Sequence, residues 1–205
     1  MEVLIRRART ADVPHIRRLI GLYAGSGRRL LRKTTVTLYE DVQEFWVAEE
    51  LQAARPDTER QRGGGAGAGG GRGGVPPGGA APAPHGPGGR VVGCGALHVM
   101  WEDLAEVRSV AVDKGYGGRG IGHRIVERLL ETARELGVRR VFCLTFEVEF
   151  FGRHGFEPIL GTPVSPEVYE ELLRSYDEGV AEFLDLDRVK PNTLGNTRML
   201  LRLED

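Results

Sequence analysis

The 205-residue sequence has little of what several common protein classes require. It contains only two cysteines, Cys94 and Cys143, each in an apolar run and without a C-x-x-C spacing or a histidine cluster. This scarcity argues against a disulfide scaffold and predicts no metal site. No stretch approaches the roughly 18 apolar residues of a membrane span, and the N-terminus lacks the apolar core of a signal peptide. We therefore expect a cytoplasmic protein in a reducing compartment, with no membrane partner.

Net charge is also nearly absent, at −1 near neutral pH, but it is unevenly distributed. Residues 1–35 carry nine Lys or Arg against two acidic residues, whereas residues 147–187 carry eleven acidic residues against two basic ones. Because no aromatic residues interleave the arginines, we expect no nucleic-acid partner. The pattern favours an anionic small-molecule site, or contact between the two segments.

A low-complexity segment divides the sequence. Of the 28 residues 62–89, fourteen are Gly, five are Ala and five are Pro. Such a composition buries too little apolar surface to offset the entropy of ordering it, which predicts a disordered insert at about 56–89. The rest of the chain, residues 1–205 without the insert, is predicted to form a single domain.

Hydrophobic periodicity predicts a mixed sheet with helices on both faces, which is an α/β fold. The predicted strands are Val3–Arg7, Phe45–Glu49, Arg90–Met100, Glu106–Val112, Val141–Phe146 and Thr197–Leu203. The predicted helices are one capped by Thr10 and reaching Tyr23, then Leu38–Gln43, Ile121–Leu136, Phe150–His154 and Pro166–Tyr176. A central right-handed βαβ unit should join the fourth and fifth strands in parallel.

A glycine-dense turn connects the fourth strand to its following helix. Backbone N–H groups at such a helix N-terminus favour a phosphate or pyrophosphate. Gly115, Gly117 and Gly120 satisfy G-x-G-x-x-G, but this strand comes after half the chain with no second βαβ unit behind it, which disfavours a dinucleotide domain. No Lys-Ser or Lys-Thr follows, so a P-loop is excluded. A connector without a ligand would not need so many glycines.

The turn also fits the pattern R/Q-x-x-G-x-G/A and resembles the coenzyme A loop of the GNAT N-acetyltransferases. The sequence FFGRHGF at 150–156 is similar to the F-Y-x-x-x-G-F element of that family. Within the family, the chain most resembles the short single-domain amino-acid N-acetyltransferases (N-acetylglutamate synthases) of actinobacteria. The segments that carry this likeness are 30–49, 91–99, 106–112, 141–156 and 189–201.

The resemblance implies a GNAT fold, with a mostly antiparallel sheet of six to seven strands. It also implies an acetyl-CoA:L-glutamate N-acetyltransferase that performs the first step of arginine biosynthesis by direct attack of the amine. Two alternatives remain open. One is acetylation of another amine, such as glutamine, another amino acid or a protein N-terminus; the other is a non-catalytic acyl-CoA sensor. A homodimer is compatible with either activity.

The resemblance places the coenzyme on the fourth strand, the turn and the start of the helix. The implied contacts are Val110, Ala111, Val112, Gly117, Gly118, Arg119, Gly120, Ile121, Gly122, His123 and Phe151. Gly117 stands where the family usually has Arg or Gln, which predicts weaker coenzyme binding. Phe151 stands where many relatives have a Tyr that protonates the leaving thiolate. A thiol with a pKa of about 8.5 can leave as thiolate near neutral pH, so that donor is not required.

On the acceptor side, Glu106 is the candidate base, because the amine of an amino acid is mostly protonated at neutral pH. A solvated acid at a strand start is the alternative interpretation. The resemblance and the need for cations to bind a dicarboxylate indicate a substrate-binding set of Arg32, Lys33, Cys94, Asn192 and Arg198. Ordinary surface charges are the alternative for the three cations. Cys94 is expected to pack and to make a backbone contact, although it leaves a ping-pong route open.

Overall fold

The computed structural model describes residues 2–24, 30, 33–51, 89–175, 180, 184 and 196–204. The strands are β1 Val3–Arg7, β2 Phe45–Glu50, β3 Arg90–Trp101, β4 Leu104–Val112, β5 Arg140–Thr145, β6 Glu157–Pro158 and β7 Thr197–Arg202. The helices are α1 Val13–Ala24, α2 Thr35–Glu40, α3 Ile121–Glu135, α4 Val148–Gly152 and α5 Pro166–Leu172. Short 3-10 turns cover Thr10–Asp12, Val42–Glu44 and Lys114–Tyr116. None of the helices in these ranges is long and apolar enough to cross a membrane.

The seven strands form one sheet in the order β1-β2-β3-β4-β5-β7-β6. Every neighbouring pair is antiparallel except β4 and β5, which are parallel and joined by α3. The predicted mixed, mostly antiparallel sheet with one central βαβ unit is therefore confirmed. The two-residue strand β6 was not predicted, because an element so short has no hydrophobic period.

The predicted helices are present, but several of their ends differ. Thr10 does not cap the first helix; it begins a 3-10 turn, and the Asp12 carboxylate instead accepts a hydrogen bond from the Arg9 backbone N at 2.7 Å. The second helix begins at Thr35 instead of Leu38, because the Thr34 hydroxyl accepts a bond from the Thr37 backbone N. Tyr176, the predicted end of the last helix, and all of the insert at about 56–89 except Gly89 lie outside the described residues.

Helices cover both faces of the sheet. The apolar stripe of α3, with Ile121, Ile125 and Leu129 buried, packs on one face together with Ala105 and Val107 of β4. The opposite face holds two separate apolar clusters, one under α1 and one under α5. Leu104 belongs to the α5 cluster and Ala111 to the α1 cluster. Glu106 and Arg108 share the face of Leu104, because side chains alternate along a strand, so polar groups lie between the two clusters.

The close approach of α3 to β3 provides a test of this packing. A Cβ added at Gly95 would lie 2.7 Å from Cγ2 of Ile125 and 3.1 Å from Cδ1 of Leu129. We expect Gly95→Ala to lower the free energy of unfolding by about 1–3 kcal/mol, because the core has no room for the methyl group. Gly21, in α1, has no atom within 4 Å of an added Cβ. Gly21→Ala should raise the same free energy by about 0.5–1 kcal/mol through helix propensity. Urea unfolding followed by tryptophan fluorescence measures both, and a Gly95→Ala variant as stable as the parent would contradict the packing.

Candidate functional site

Strands β4 and β5 separate part of the way along the sheet. Their parallel register joins Leu104–Glu106 to Arg140–Phe142 and goes no further within these fully described strands. At the same point β4 has a bulge, because Ser109 and Val110 together face Gly95 of β3. Ser109 has φ +57°, the one positive value among the described non-glycine residues. A bulge bends a strand and increases its twist, so β4 turns away from β5 here.

The separation of the two strands opens a cavity of about 460 Å³. It runs from the centre of the sheet to the N-terminus of α3. The lining residues are 107–110 and 112 of β4, Gly118 and Gly122, residues 144–147, Phe150 and Phe151, with Tyr23 and Leu30 on the opposite side. The cavity therefore lies between the predicted coenzyme strand and the FFGRHGF segment.

The glycine turn is held in place at its start by Asp113. The Asp113 carboxylate accepts a bond from the Gly115 backbone N at 3.2 Å and pairs with Arg18 at 2.9 Å and Arg90 at 3.1 Å. The hydrogen bond from Arg18 holds the pKa of Asp113 below its usual value. The Tyr116 hydroxyl donates to the Glu50 carboxylate at 2.5 Å. The turn is thus fixed to α1 and to both strands that flank the insert.

The N-terminus of α3 presents backbone donors to the cavity. The first bond of the helix runs from the Arg124 N to the Gly120 O, so the N–H groups of residues 121–123 have no partner within the helix. Gly120 is the N-cap at φ +74°, and no side chain caps the helix. A Cβ at Gly122 would touch the Phe150 ring at 3.3 Å, which shows how closely α4 approaches this turn. Free N–H groups and the helix dipole make this end suitable for a phosphate group.

The other predicted coenzyme residues lie in varied positions. Val110 and Val112 line the cavity, whereas Ala111 faces the α1 cluster and contributes only its backbone. Phe151 lines the cavity and is 7% exposed, with the Phe150 and Phe156 rings at 5.1 and 5.4 Å. It serves both as a wall of the cavity and as a core residue.

The other two predicted residues flank the cavity without lining it. The Arg119 guanidinium lies over the Tyr116 ring, 5.2 Å from the ring centroid. His123 Nδ1 lies 2.8 Å from His154 Nε2, and burial, followed by the charge of His123, lowers the pKa of His154. We therefore expect both residues to act at the rim of a coenzyme site, outside the region where the thioester would lie.

Glu106 is buried near the inner end of the cavity. It is the third residue of β4 and is 4% exposed, so it is not a solvated acid at a strand start. Its neighbours across the sheet are His98 on β3 and Phe142 on β5. Its Oε2 lies 3.7 Å from Nη1 of Arg108. A carboxylate in such a place can accept a proton from a group bound in the cavity.

Sequence analysis did not identify Arg108, although its spacing two residues after Glu106 places both on one face of the strand. Arg108 lines the cavity, and its Nη2 donates to Glu44 at 2.9 Å and to Asp41 at 3.2 Å. Glu44 also contacts His98 Nδ1 at 2.7 Å. These partners are more than 50 residues away in sequence, which is why no local pattern predicted them.

The predicted substrate residues are only partly brought together. Lys33 pairs with Asp41 at 2.8 Å and so joins the Arg108 contacts. Arg198, on β7, is the register partner of Leu144, which lines the cavity. Arg32 and Asn192 lie outside the described residues.

Cys94 is fully buried, and its Sγ donates to the Ser109 O at 3.6 Å. Burial raises the pKa of this thiol to about 12, so it stays protonated near neutral pH. The expected packing role with a backbone contact fits these observations. Within the described ranges, no cluster of three His, Cys, Asp or Glu side chains could hold a metal ion.

Comparison with known proteins agrees with this architecture. The profile of the Acetyltransferase (GNAT) family matches residues 35–156. The chain is 54% identical to an amino-acid acetyltransferase of Mycobacterium tuberculosis, over 98% of this chain and 94% of the relative. The crystal structure of Rv2747 from M. tuberculosis, in complex with CoA and NLQ, has a TM-score of 0.75 and 54% identity over 98% of this chain and 99% of its own.

The same fold occurs as part of a longer protein. The N-acetylglutamate synthase of Neisseria gonorrhoeae, complexed with coenzyme A and N-acetyl-glutamate, has a TM-score of 0.65 at 22% identity. The match covers all of this chain and 36% of that one. The matched family segment contains both the separated strands and the glycine turn, and the chain belongs to the acetyltransferase (GNAT) family.

Proposed function

We propose that the protein transfers the acetyl group of acetyl-CoA to the α-amino group of L-glutamate, making N-acetyl-L-glutamate for the first step of arginine biosynthesis. The observation that carries this proposal is the cavity between β4 and β5, which joins a phosphate-binding helix end to a buried carboxylate. The amino-acid acetyltransferase of M. tuberculosis, similar over nearly the whole chain, supports an amino acid as acceptor. Two buried, unpaired cysteines fit the expected cytoplasmic location.

The donor end uses backbone groups. The N–H groups of residues 117–123 would bind the pyrophosphate of acetyl-CoA at the α3 N-terminus. The edge of β4 at residues 110–112, no longer paired with β5, would hold the pantetheine through main-chain hydrogen bonds. Because backbone amides supply most of this binding, Gly117 in place of an Arg or Gln weakens the site without removing it.

The chemical step is a direct transfer. Glu106 takes a proton from the ammonium group, and the neutral amine then attacks the thioester carbonyl. A backbone N–H of β4 stabilises the oxyanion that forms. The C–S bond breaks, and CoA leaves as a thiolate, as its pKa of about 8.5 allows. Phe151 gives no proton to it, and Cys94, protonated and buried, is not positioned to form an acetyl-enzyme.

The acceptor carboxylates require cations. Arg198 on β7 is suited to this role, because a guanidinium can bind a carboxylate through two hydrogen bonds. Lys33 is already paired with Asp41, so its contribution is smaller. Arg32 and Asn192 complete the proposed substrate set.

L-Glutamine is a second candidate acceptor, and one observation favours it. The described charges around Arg108 comprise three carboxylates, Asp41, Glu44 and Glu106, against the two cations Lys33 and Arg108. This local excess of negative charge opposes a second carboxylate on the substrate and accepts an amide more easily.

Thiol release from acetyl-CoA, measured with a panel of amino acids, tests the proposed reaction. We expect release that depends on L-glutamate, with weaker or no release for amino acids with apolar side chains. A preference for L-glutamine would establish the second candidate. Tight acetyl-CoA binding with no release for any amine would contradict catalysis and indicate a sensor.

Replacement of Glu106 tests the base. Glu106→Gln should lower kcat by about 10²–10⁴-fold, because the acceptor amine loses its proton acceptor, while acetyl-CoA binding is retained. Steady-state kinetics and calorimetric titration with CoA measure the two effects. Glu102→Gln, at an exposed position in the β3–β4 turn, is the matched control and should behave as the parent. Parental turnover in Glu106→Gln would remove Glu106 from the mechanism.

Replacement of Arg198 tests acceptor binding. Arg198→Ala should raise KM for glutamate by about tenfold or more, because a charged hydrogen bond contributes about 1.5–3 kcal/mol. The KM for acetyl-CoA should stay unchanged. Arg202→Ala, an exposed arginine on the same strand, is the control. Equal glutamate KM values in the two variants would exclude Arg198 from the site.

A further inference from the structure

Arg108 connects the acceptor side of the cavity. Its side chain is only 8% exposed, and its guanidinium contacts three carboxylates. Nη2 donates to Glu44 at 2.9 Å and to Asp41 at 3.2 Å, and Nη1 lies 3.7 Å from Oε2 of Glu106. Glu44 and Asp41 precede β2, so the guanidinium joins the segment after α2 to the centre of the sheet. A buried arginine with this number of anionic contacts is fixed in one orientation.

Glu106 faces an energetic problem that this arrangement can solve. As a base it must be ionised before the ammonium group arrives, but it is 4% exposed, and burial favours the neutral acid. A positive charge within about 4–6 Å favours the ionised form of a carboxyl group. Arg108 supplies that charge from the same strand and the same face.

The other groups around Glu106 do not replace this charge. They come from every element packed against it, and they are His98 on β3, Asp41 and Glu44 before β2, Lys33 before α2, and Cys143 on β5. Two of them are acids, which oppose ionisation of Glu106. His98 is bound to Glu44, and Lys33 is bound to Asp41. Burial, and then the charge of Glu106, raise the pKa of the Cys143 thiol, so Cys143 is neutral.

We propose that Arg108 is a positioning residue that keeps Glu106 ionised and directed at the cavity, while Glu44 and Asp41 fix the guanidinium itself. This inference rests on the proposed role of Glu106 as the base. Arg108 does not carry the proton, because a guanidinium stays protonated at every working pH. The proton moves from the ammonium nitrogen to a Glu106 oxygen and then to solvent, and Arg108 favours the return of Glu106 to the carboxylate.

The pH profile of kcat/KM for the acceptor tests the inference. In Arg108→Met and Arg108→Gln, the acidic limb should move to higher pH by about one unit or more, because the neighbouring cation is gone. The loss of activity should therefore be about tenfold greater at pH 6 than at pH 8.5. Arg108→Lys restores a positive charge, and its profile should lie between those of the neutral variants and the parent. CoA affinity should stay the same in all three variants.

Arg6→Met is the matched control for the loss of a buried arginine. Arg6 is 15% exposed at its side chain and also bridges two carboxylates, Asp12 and Glu49, but it lies on β1, away from the cavity. We expect it to lower Tm as the neutral Arg108 variants do, without moving the acidic limb. If Arg108→Met does not fold, Arg108→Gln decides the question.

An acidic limb that stays at the parental pH in a folded neutral variant would overturn the role of Arg108. The outcome for Glu106→Gln separates this result from a failure of the proposed function. Loss of turnover in Glu106→Gln together with an unmoved limb in Arg108→Gln would refute Arg108 alone. Parental turnover in Glu106→Gln would refute the base and the inference with it.

Discussion

Parallel strands β4 and β5 share a register over three residue pairs and then separate, and the position of the site follows from that separation. The bulge at Ser109 bends β4 where the parallel pairing stops. The gap exposes main-chain groups of a central strand, which a continuous sheet would have used internally. It also brings the N-terminus of α3, Glu106 and the α4 aromatic residues to one cavity.

The two ends of this cavity recognise their ligands in different ways. At the α3 end, binding depends on backbone N–H groups, whose positions are set by the helix and by glycines at 118 and 120. That end tolerates changes in side chains, as Gly117 illustrates. At the inner end, binding and chemistry depend on charged side chains from α2, β3 and β4 that contact one another. Specificity for the acceptor therefore resides in side-chain contacts, and binding of the donor in the fold.

Local patterns predicted the parts of the molecule that local forces determine. The stripe of α3 and the glycine turn were predicted from spacing, and the position of Glu106 on β4 follows from the strand's alternation. Neither the bulge at Ser109 nor the contacts of Arg108 could be predicted. Serine gives no sign of a positive φ, and the partners of Arg108 are distant in sequence. The cap at Asp12 was missed because Thr10 offered an equally good local pattern.

Cys94 had been assigned to the substrate on resemblance, but its Sγ donates to the carbonyl of Ser109, the residue at which β4 bulges. Its contribution to the site is thus mechanical, acting from behind the wall through the backbone. Cys143 is equally buried, on β5. Thiol-directed reagents consequently meet neither sulfur while the sheet is intact. In this protein the rate of thiol labelling reports how often the sheet opens, and the two cysteines are internal probes of its folding.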